Sequence, residues 1–322
     1  MTIKIPTNED FIAGADLHIH SKVPENRKGD YFGQVIMKFS HLLAYTIRFS
    51  APGLLVVAGD FFDAPNVPYK VTKRVIELIK ESGIEVLVVP GQHDLRYHVS
   101  GLDNTPLGTL EAAGVVSILS NTCRYAPKGM NGVTFIGSGW NEEPQEEADV
   151  LVMHRMITKK GELWPGQKNY STAHAILRKY PWAKCIISGD NHTPHSLRTD
   201  GKLQINCGSM VRSTKSQIGY QPRCWRVDTS TWKAKPIKIQ CLSDEEVFDF
   251  GKIAIEEIKE ESKKEAEKKI AEFIDTLPKN SKERPDFKNI LNNVVAHVDP
   301  KQSVRDIIDN TMERVGTANE KV

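Results

Sequence analysis

Residues 53–63 read GLLVVAGDFFD. Leu54 to Ala58 make an apolar run too short for a buried helix, and Gly59, Asp60 and Asp63 follow it closely. Such a run reads as a buried strand with a polar turn at its carboxyl end. The pattern recurs on both sides. FIAGADLHIH (11–20), IEVLVVPGQHD (84–94), ADVLVMHRM (148–156) and AKCIISGDNH (183–192) each pass from an apolar run into Asp, His or Gln. Between them lie stretches with helical spacing, YFGQVIMKFSHLLAYTIRFS (31–50) and VTKRVIELIKESG (71–83), the second closed by a stop glycine. This alternation, from residue 11 to residue 205, predicts an α/β fold with parallel strands. In open α/β sheets the ligand site lies beyond the carboxyl ends of the strands. The polar motifs, far apart in sequence, are therefore expected to meet.

The opening motif, ADLHIHSK (15–22), alternates Asp16, His18 and His20 with Leu17 and Ile19. On a strand that spacing points the three polar side chains the same way. Later strand ends supply Asp60 and Asp63, then Gln92, His93 and Asp94, then His154, then Asp190 and His192. The set combines carboxylate oxygens, imidazole nitrogens and one amide oxygen, with no thiolate. It favours Mn²⁺, Fe²⁺ or Mg²⁺ over a structural zinc. A carboxylate shared by two such ions makes a site that clamps the attacking and leaving oxygens of a phosphoryl displacement.

Bulk properties narrow the class. The chain has 322 residues, 39% apolar and 26% charged, enough for one large domain with appendages. A net charge of +2 gives no global basic field, so nucleic-acid contact would need a local patch. Five cysteines without CxxC spacing exclude a disulfide framework and a zinc ribbon. A reducing, cytoplasmic setting follows. No leader-like apolar segment precedes the first strand, and no run approaches the roughly 18 apolar residues of a membrane span.

The opening run alone fits two hydrolase types, the PHP type that begins His-x-His and a type that begins Asp-x-His. The later motifs choose between them. Asp-x-His, Gly-Asp-x-x-Asp, Gly-x-His-Asp, a lone His after a strand, and Gly-x-x-His, in that order over residues 11–210, resemble the calcineurin-like metallophosphoesterase superfamily. Within it the order, the spacing and the string NCGSMVRST (206–214) look most like SbcD-type DNA repair nuclease subunits, phage members included. The resemblance implies an αββα sandwich and two divalent metal ions, Mn²⁺ first. Asp16, His18, Asp60 and His192 would hold one ion. Asp60, Gln92, His154 and Asp190 would hold the other, with Asp60 bridging. His93 would meet the scissile phosphate and serve the leaving oxygen, with the Asp63 carboxylate fixing its tautomer. Two positions depart from the pattern: Gln92 stands where the family usually has Asn, and Asp190 where it usually has His. Both fall on the second metal.

The remaining histidines and basic residues read more blandly. His20 is expected behind the ligands or near a phosphate, His98 and His195 at the mouth or surface, and His41, His174 and His297 as structural. Arg155, Lys159 and Lys160 suit either a phosphate backbone or a solvated loop.

Three regions are expected: a catalytic domain over 1–205, a small β-rich capping region over 206–245, and a helical partner-binding region over 246–322. CWRVDTSTWKAKPIKIQCL (224–242) reads as two strands around a turn. Residues 252–277 place Ile255, Ile258, Ala266, Ile270, Phe273, Ile274 and Leu277 on one helical face. Residues 299–315 suggest a second helix with Asp299 as cap. By the resemblance, the function is a DNA phosphodiesterase, exonucleolytic on double-stranded ends and endonucleolytic on single strands. It would work as a homodimer with an SbcC-type coiled-coil ATPase and away from membranes. A phosphatase or cyclic-nucleotide phosphodiesterase on the same metals, and a catalytically weak DNA-binding scaffold, are the alternatives.

Overall fold

The computed structural model describes residues 10–98, 101–276 and 296. Strands and helices are numbered along the chain. Strands β1 (Asp10–Gly14), β2 (Leu54–Ala58), β3 (Glu85–Val89) and β4 (Ser117–Ile118) run parallel, and β12 (Arg223–Asp228) and β13 (Lys233–Lys238) continue the sheet antiparallel, in the order β13-β12-β1-β2-β3-β4. A second sheet has the order β10-β11-β9-β6-β5, from β5 (Phe135–Ser138), β6 (Val150–His154), β9 (Cys185–Gly189), β10 (His195–Thr199) and β11 (Lys202–Asn206). All its neighbours are parallel except β10 and β11. The short strands β7 (Ile157–Thr158) and β8 (Ser171–Thr172) pair separately.

Alternation along each strand sorts its side chains between two cores. Phe11 and Ala13 of β1 and Val56 of β2 pack against Val150 and Val152 of β6 and Ile187 of β9, which joins the two sheets face to face. Ile12, Leu55 and Val57 point the other way, against Val35, Phe39 and Leu42 of α1 (Tyr31–Phe49) and Val75 and Ile79 of α2 (Tyr69–Ser82), with α3 (Pro106–Ala112) beside them. Leu151 and Ile186 likewise meet Ala173, Ile176 and Leu177 of α4 (Ala173–Lys179). Helices thus cover the outer faces of two packed sheets, the αββα sandwich that the sequence implied. Each fully buried Val, Leu, Ile or Phe contributes roughly 1.5–3 kcal/mol. Helix ends are set locally. The Asp30 carboxylate accepts from Gly33 N (2.9 Å) to start α1, and Gly83 ends α2 in the left-handed region at φ 64°.

Two expectations need correction. β1 stops at Gly14, so Asp16, His18 and His20 do not continue a strand; Asp16 and His18 instead adopt left-handed φ values of 50° and 42°. The backbone is held that way by neighbouring loops, Asp16 N donating to Gly59 O and His18 N to Asp60 O, both at 3.0 Å. The stretch expected as a separate β-rich cap does form two strands, but β12 pairs with β1, Asp10 opposite Asp228, and so extends the first sheet. Beyond it lie α5 (Asp244–Val247) and α6 (Phe250–Thr276).

The chain divides into two compact units, Met1–Asp249 and Phe250–Val322. In the second, α6 carries Ile255 and Ile258 exposed to solvent. Leu277, His297 and the helix expected over 299–315 lie outside the described residues. Among the described residues no helix is long and apolar enough to cross a membrane.

Candidate metal centre

Parallel strands put their carboxyl ends on one side of each sheet, and the two sheets place those ends together. Asp16 follows β1, Asp60 follows β2, Gln92 and His93 follow β3, His154 closes β6, and Asp190 and His192 follow β9. Three overlapping groups of ligand atoms lie within 4.8 Å of one another: Asp16, His18 and His192; His18, Asp60 and His93; Asp16, Asp60 and His154. Asp60 Oδ2 stands between His154 Nε2 at 3.3 Å and His18 Nε2 at 3.8 Å. His18 Nε2 is also 3.3 Å from His192 Nε2.

Several of these polar atoms are buried without a hydrogen-bond partner. Asp16 Oδ2, Asp60 Oδ2, Gln92 Oε1 and His154 Nε2 all share this state. Orphaned buried acceptors are costly and rare in folded proteins, and here they converge. The other atoms of the same groups are occupied in a way that frees these. His154 Nδ1 donates to Ala58 O (2.8 Å), so in the neutral ring Nε2 carries the lone pair. Asp60 Oδ1 accepts from His93 N (2.9 Å) and Asp16 Oδ1 from Asp190 N (3.1 Å). The donor set and its orphaned atoms fit divalent cations.

The electrostatics agree. Burial pushes the Asp16 carboxyl up to about 6, against the pull of His154 and His18. Burial also opposes ionisation of Asp60, yet His154, His18 and His93 together hold it well below the usual carboxylate range. Burial disfavours the His154 imidazolium, but Asp60, Asp16 and Asp190 outweigh it and push it up to about 10. His192 is driven down to about 4 by burial and by His18. The carboxylates draw positive charge into the cluster, and a bound cation can supply it.

Close approach explains the glycines of the motifs. A Cβ on Gly59 would overlap the His154 ring, and one on Gly91 would overlap Asp60. Asp60 and Asp190 also take left-handed φ values, 49° and 75°, so the ligand turns are strained by design of their surroundings. Asp94, counted among the strand-end carboxylates but assigned to neither metal, is fully buried and accepts from Phe61 N (3.1 Å), Phe62 N (2.9 Å) and Gly91 N (3.0 Å). It clamps the turn carrying Asp60 to the turn carrying Gln92 and His93. Burial, with Asp60 nearby, pushes its carboxyl up to about 6.

The expected pairing of Asp63 with His93 is altered. His93 Nδ1 lies 2.8 Å from the Asp63 main-chain oxygen, while the Asp63 carboxylate faces His18 Nδ1 at 3.1 Å and His20 Nε2 at 3.7 Å. The carboxylate is drawn to two imidazoles on the first motif, and the carbonyl takes over at His93. A carbonyl only accepts, so Nδ1 keeps its proton and Nε2 is the atom free to gain or lose one. The His20 ring lies against Tyr31, centroids 4.8 Å apart and planes tilted at 45°. Gln92 and Asp190, the two unusual positions, touch each other: Gln92 Nε2 donates to Asp190 Oδ1 at 3.2 Å, leaving Gln92 Oε1 as the free acceptor. Asp190 is not part of the three tight groups. His195 is partly buried, with Nδ1 3.4 Å from Thr193 O. Arg155 is spent on Glu143 rather than presented freely.

A buried polar network supports the last motif. Asn206 Nδ2 donates to Asn191 O and to Thr193 O (2.9 Å), and its Oδ1 accepts from Ser188 Oγ (3.0 Å). Asp94 closes the GQHD motif and Asn206 opens NCGSMVRST, but neither residue's role is legible in the sequence, because both act largely through main-chain groups of distant segments.

The family model described as calcineurin-like phosphoesterase matches residues 12–194, more than half of the chain. The DNA double-strand break repair protein Mre11 of Aeropyrum pernix is 31% identical over 104 residues, which are 31% of this chain and 24% of that protein. The chain therefore covers about a quarter of the length of the curated relative it matches. Among solved structures, the phosphopantetheinyl hydrolase of Mycobacterium tuberculosis aligns with a TM-score of 0.43 and 13% identity over 72% of this chain and 97% of that one. An archaeal phosphodiesterase aligns with a TM-score of 0.37 and 14% identity over 71% and 99%.

Proposed function

The chain belongs to the calcineurin-like phosphoesterase family of metal-dependent phosphoesterases, and we propose from that premise that it is a phosphodiesterase acting on DNA, an SbcD-like nuclease subunit. The observation that carries the proposal is the convergence of candidate ligand groups from five strand ends, with orphaned buried atoms at four of them. The similarity to a DNA break repair protein supports DNA as the substrate.

We assign Asp16, His18, Asp60 and His192 to one divalent ion and Asp60, Gln92, His154 and Asp190 to a second, with Mn²⁺ first and Mg²⁺ or Fe²⁺ as alternatives. The ions would neutralise charge on the phosphate and lower the pKa of water. The chain's own groups do the rest. Asp60, between His18 and His154, holds both halves of the site in register. His93, its Nδ1–H fixed by the Asp63 carbonyl, offers Nε2 to protonate the leaving oxygen. Asp63 orients His18 through its carboxylate. The exposed Ile255 and Ile258 on α6 suit a helical partner, which we take to be an SbcC-type coiled-coil ATPase, with the nuclease itself a cytoplasmic homodimer.

The test is cleavage of linear double-stranded and single-stranded DNA by the purified chain with Mn²⁺, Mg²⁺ or EDTA, beside His93→Asn and a nucleotide phosphatase control. Metal-dependent cutting that is lost in the variant is expected. Turnover of nucleotides without any cutting of DNA would replace DNA by a mononucleotide substrate. Partner binding without activity or a second metal would leave a scaffold.

A further inference from the structure

Trp140 is close to the His154 ring and also lines a cavity to which no role has been given. Its indole centroid lies 6.4 Å from that of the His154 ring, the planes inclined at 57°. It also lines a cavity of about 260 Å³ whose walls include Pro90, Leu95, Leu102 and Ile118, with Ser120 and Asn121 as polar groups. The ring is only partly buried.

The turn beneath it is unusually well fixed. Trp140 N donates to Pro90 O (3.0 Å), Gly139 N to Glu142 Oε2 (3.0 Å), Glu142 N to Gly139 O (3.1 Å) and Ser138 Oγ to Glu142 O (2.8 Å). Arg155 Nη2 then donates to Glu142 O (3.0 Å) and to Glu143 Oε1 (2.8 Å). Arg155 directly follows His154, so the strand end that sets the ligand also sets the platform. Lys179 Nζ reaches Glu143 as well, at 2.9 Å, which ties the turn to α4. A flat aromatic surface held this rigidly pays little ordering entropy when it binds.

We propose that Trp140 and the adjoining cavity form the subsite for a nucleobase of the substrate, next to the phosphate that is hydrolysed. A phosphate engages the metal centre and makes no use of an aromatic plane. A base does, because every base has a π-face that stacks on indole irrespective of sequence. The apolar walls cover the base, and its edge is left to Ser120 and Asn121. The inference rests on a nucleotide-bearing phosphodiester as substrate, and it makes Trp140 a positioning and specificity residue.

Two measurements on the full chain with Mn²⁺ test it. In the first, intrinsic fluorescence is titrated with deoxyadenosine 5′-monophosphate and with deoxyribose 5-phosphate. The nucleotide should change the wild-type emission, the sugar phosphate should not, and the change should be absent in Trp140→Phe. In the second, the KM is compared for a thymidine dinucleotide and for analogues lacking one base or the other. Trp140→Leu should raise KM roughly tenfold for the dinucleotide, on the scale of base–aromatic stacking. It should leave kcat and one of the abasic analogues nearly unchanged, and Trp140→Phe should recover most of the loss. An emission change that survives in Trp140→Phe, or an equal KM effect on all substrates, would overturn the subsite. If the wild type hydrolyses no phosphodiester, the DNA assignment falls, and the fluorescence titration still decides the base subsite by itself.

Discussion

Replacing Gln92 by Asn is expected to weaken the proposed second metal position more than one lost methylene suggests, because Asp190 holds the Gln92 amide. Gln92 Nε2 donates to Asp190 Oδ1 at 3.2 Å, and that contact turns Oε1, buried and unpartnered, toward the site. A hydrogen bond to a charged group contributes about 1.5–3 kcal/mol. At about 1.4 kcal/mol per factor of ten, Gln92→Asn should lower Mn²⁺ affinity at that position about 10- to 100-fold. Asp190→His removes the same contact from the other side. If the two positions act as one unit, the double variant Gln92→Asn/Asp190→His restores the family's usual pair. It should then bind Mn²⁺ about tenfold more tightly than the two losses added together, a coupling on the order of 1–2 kcal/mol. Calorimetric titration of the metal-free protein with Mn²⁺ measures all four corners of the cycle. Losses that add within about 0.5 kcal/mol would refute the coupling and make the two residues independent.

Asn206→Leu should remove the Asn206 donor from the Asn191 and Thr193 main-chain oxygens, while Ser188 Oγ keeps Ile205 O, at about 1–3 kcal/mol for each group left unsatisfied; a urea midpoint as high as the wild type's would show the network to be dispensable. Buried Lys38 donates to Met210 O (3.2 Å), and burial, helped by Arg212 and Arg27, drives its ammonium down to about 7. An unfolded lysine titrates near 10.4, so above pH 7 the unfolded chain binds a proton that the folded chain releases. Stability should therefore rise between pH 7 and about 10, by at most about 5 kcal/mol. Lys38→Met should flatten that rise and be the more stable protein at pH 7, as urea melts at the two pH values will show. A thiol reagent should label exposed Cys123 first and Cys241 more slowly. Cys185, Cys207 and Cys224, buried with their thiols pushed up, should react only after denaturation, and peptide mass mapping will place the label.

The strands and the two long helices were legible because periodicity is local. Residues 54–58 and 150–154 could hardly be other than buried strands, and helical spacing with the stop at Gly83 marked α2. The candidate ligands could be picked out because each motif ends a strand. What sequence could not give was geometry set by distant partners. The left-handed turn at Asp16 and His18 depends on hydrogen bonds to Gly59 and Asp60, and local propensity alone would have continued the strand. The pairing of β12 with β1 likewise has no local signature. The Asp63 carboxylate was expected at His93, but the main-chain oxygen makes that contact, because the carboxylate is drawn to His18 and His20. Trp140 follows a strand without any patterned neighbour, so only its distance from His154 singles it out.

The place of β1 bears on how the molecule is made. This strand, which leads into the first ligand motif, lies between β2 and β12, and the second of these neighbours is supplied by residues 223–228. Until the ribosome has delivered that segment, a nascent chain carries an open, apolar sheet edge beside a half-built pocket. The span 12–194 holds every proposed ligand, yet expressed alone it would leave that edge bare. Such a fragment is expected to aggregate or to be retained by chaperones, and the smallest autonomous piece must run past β12.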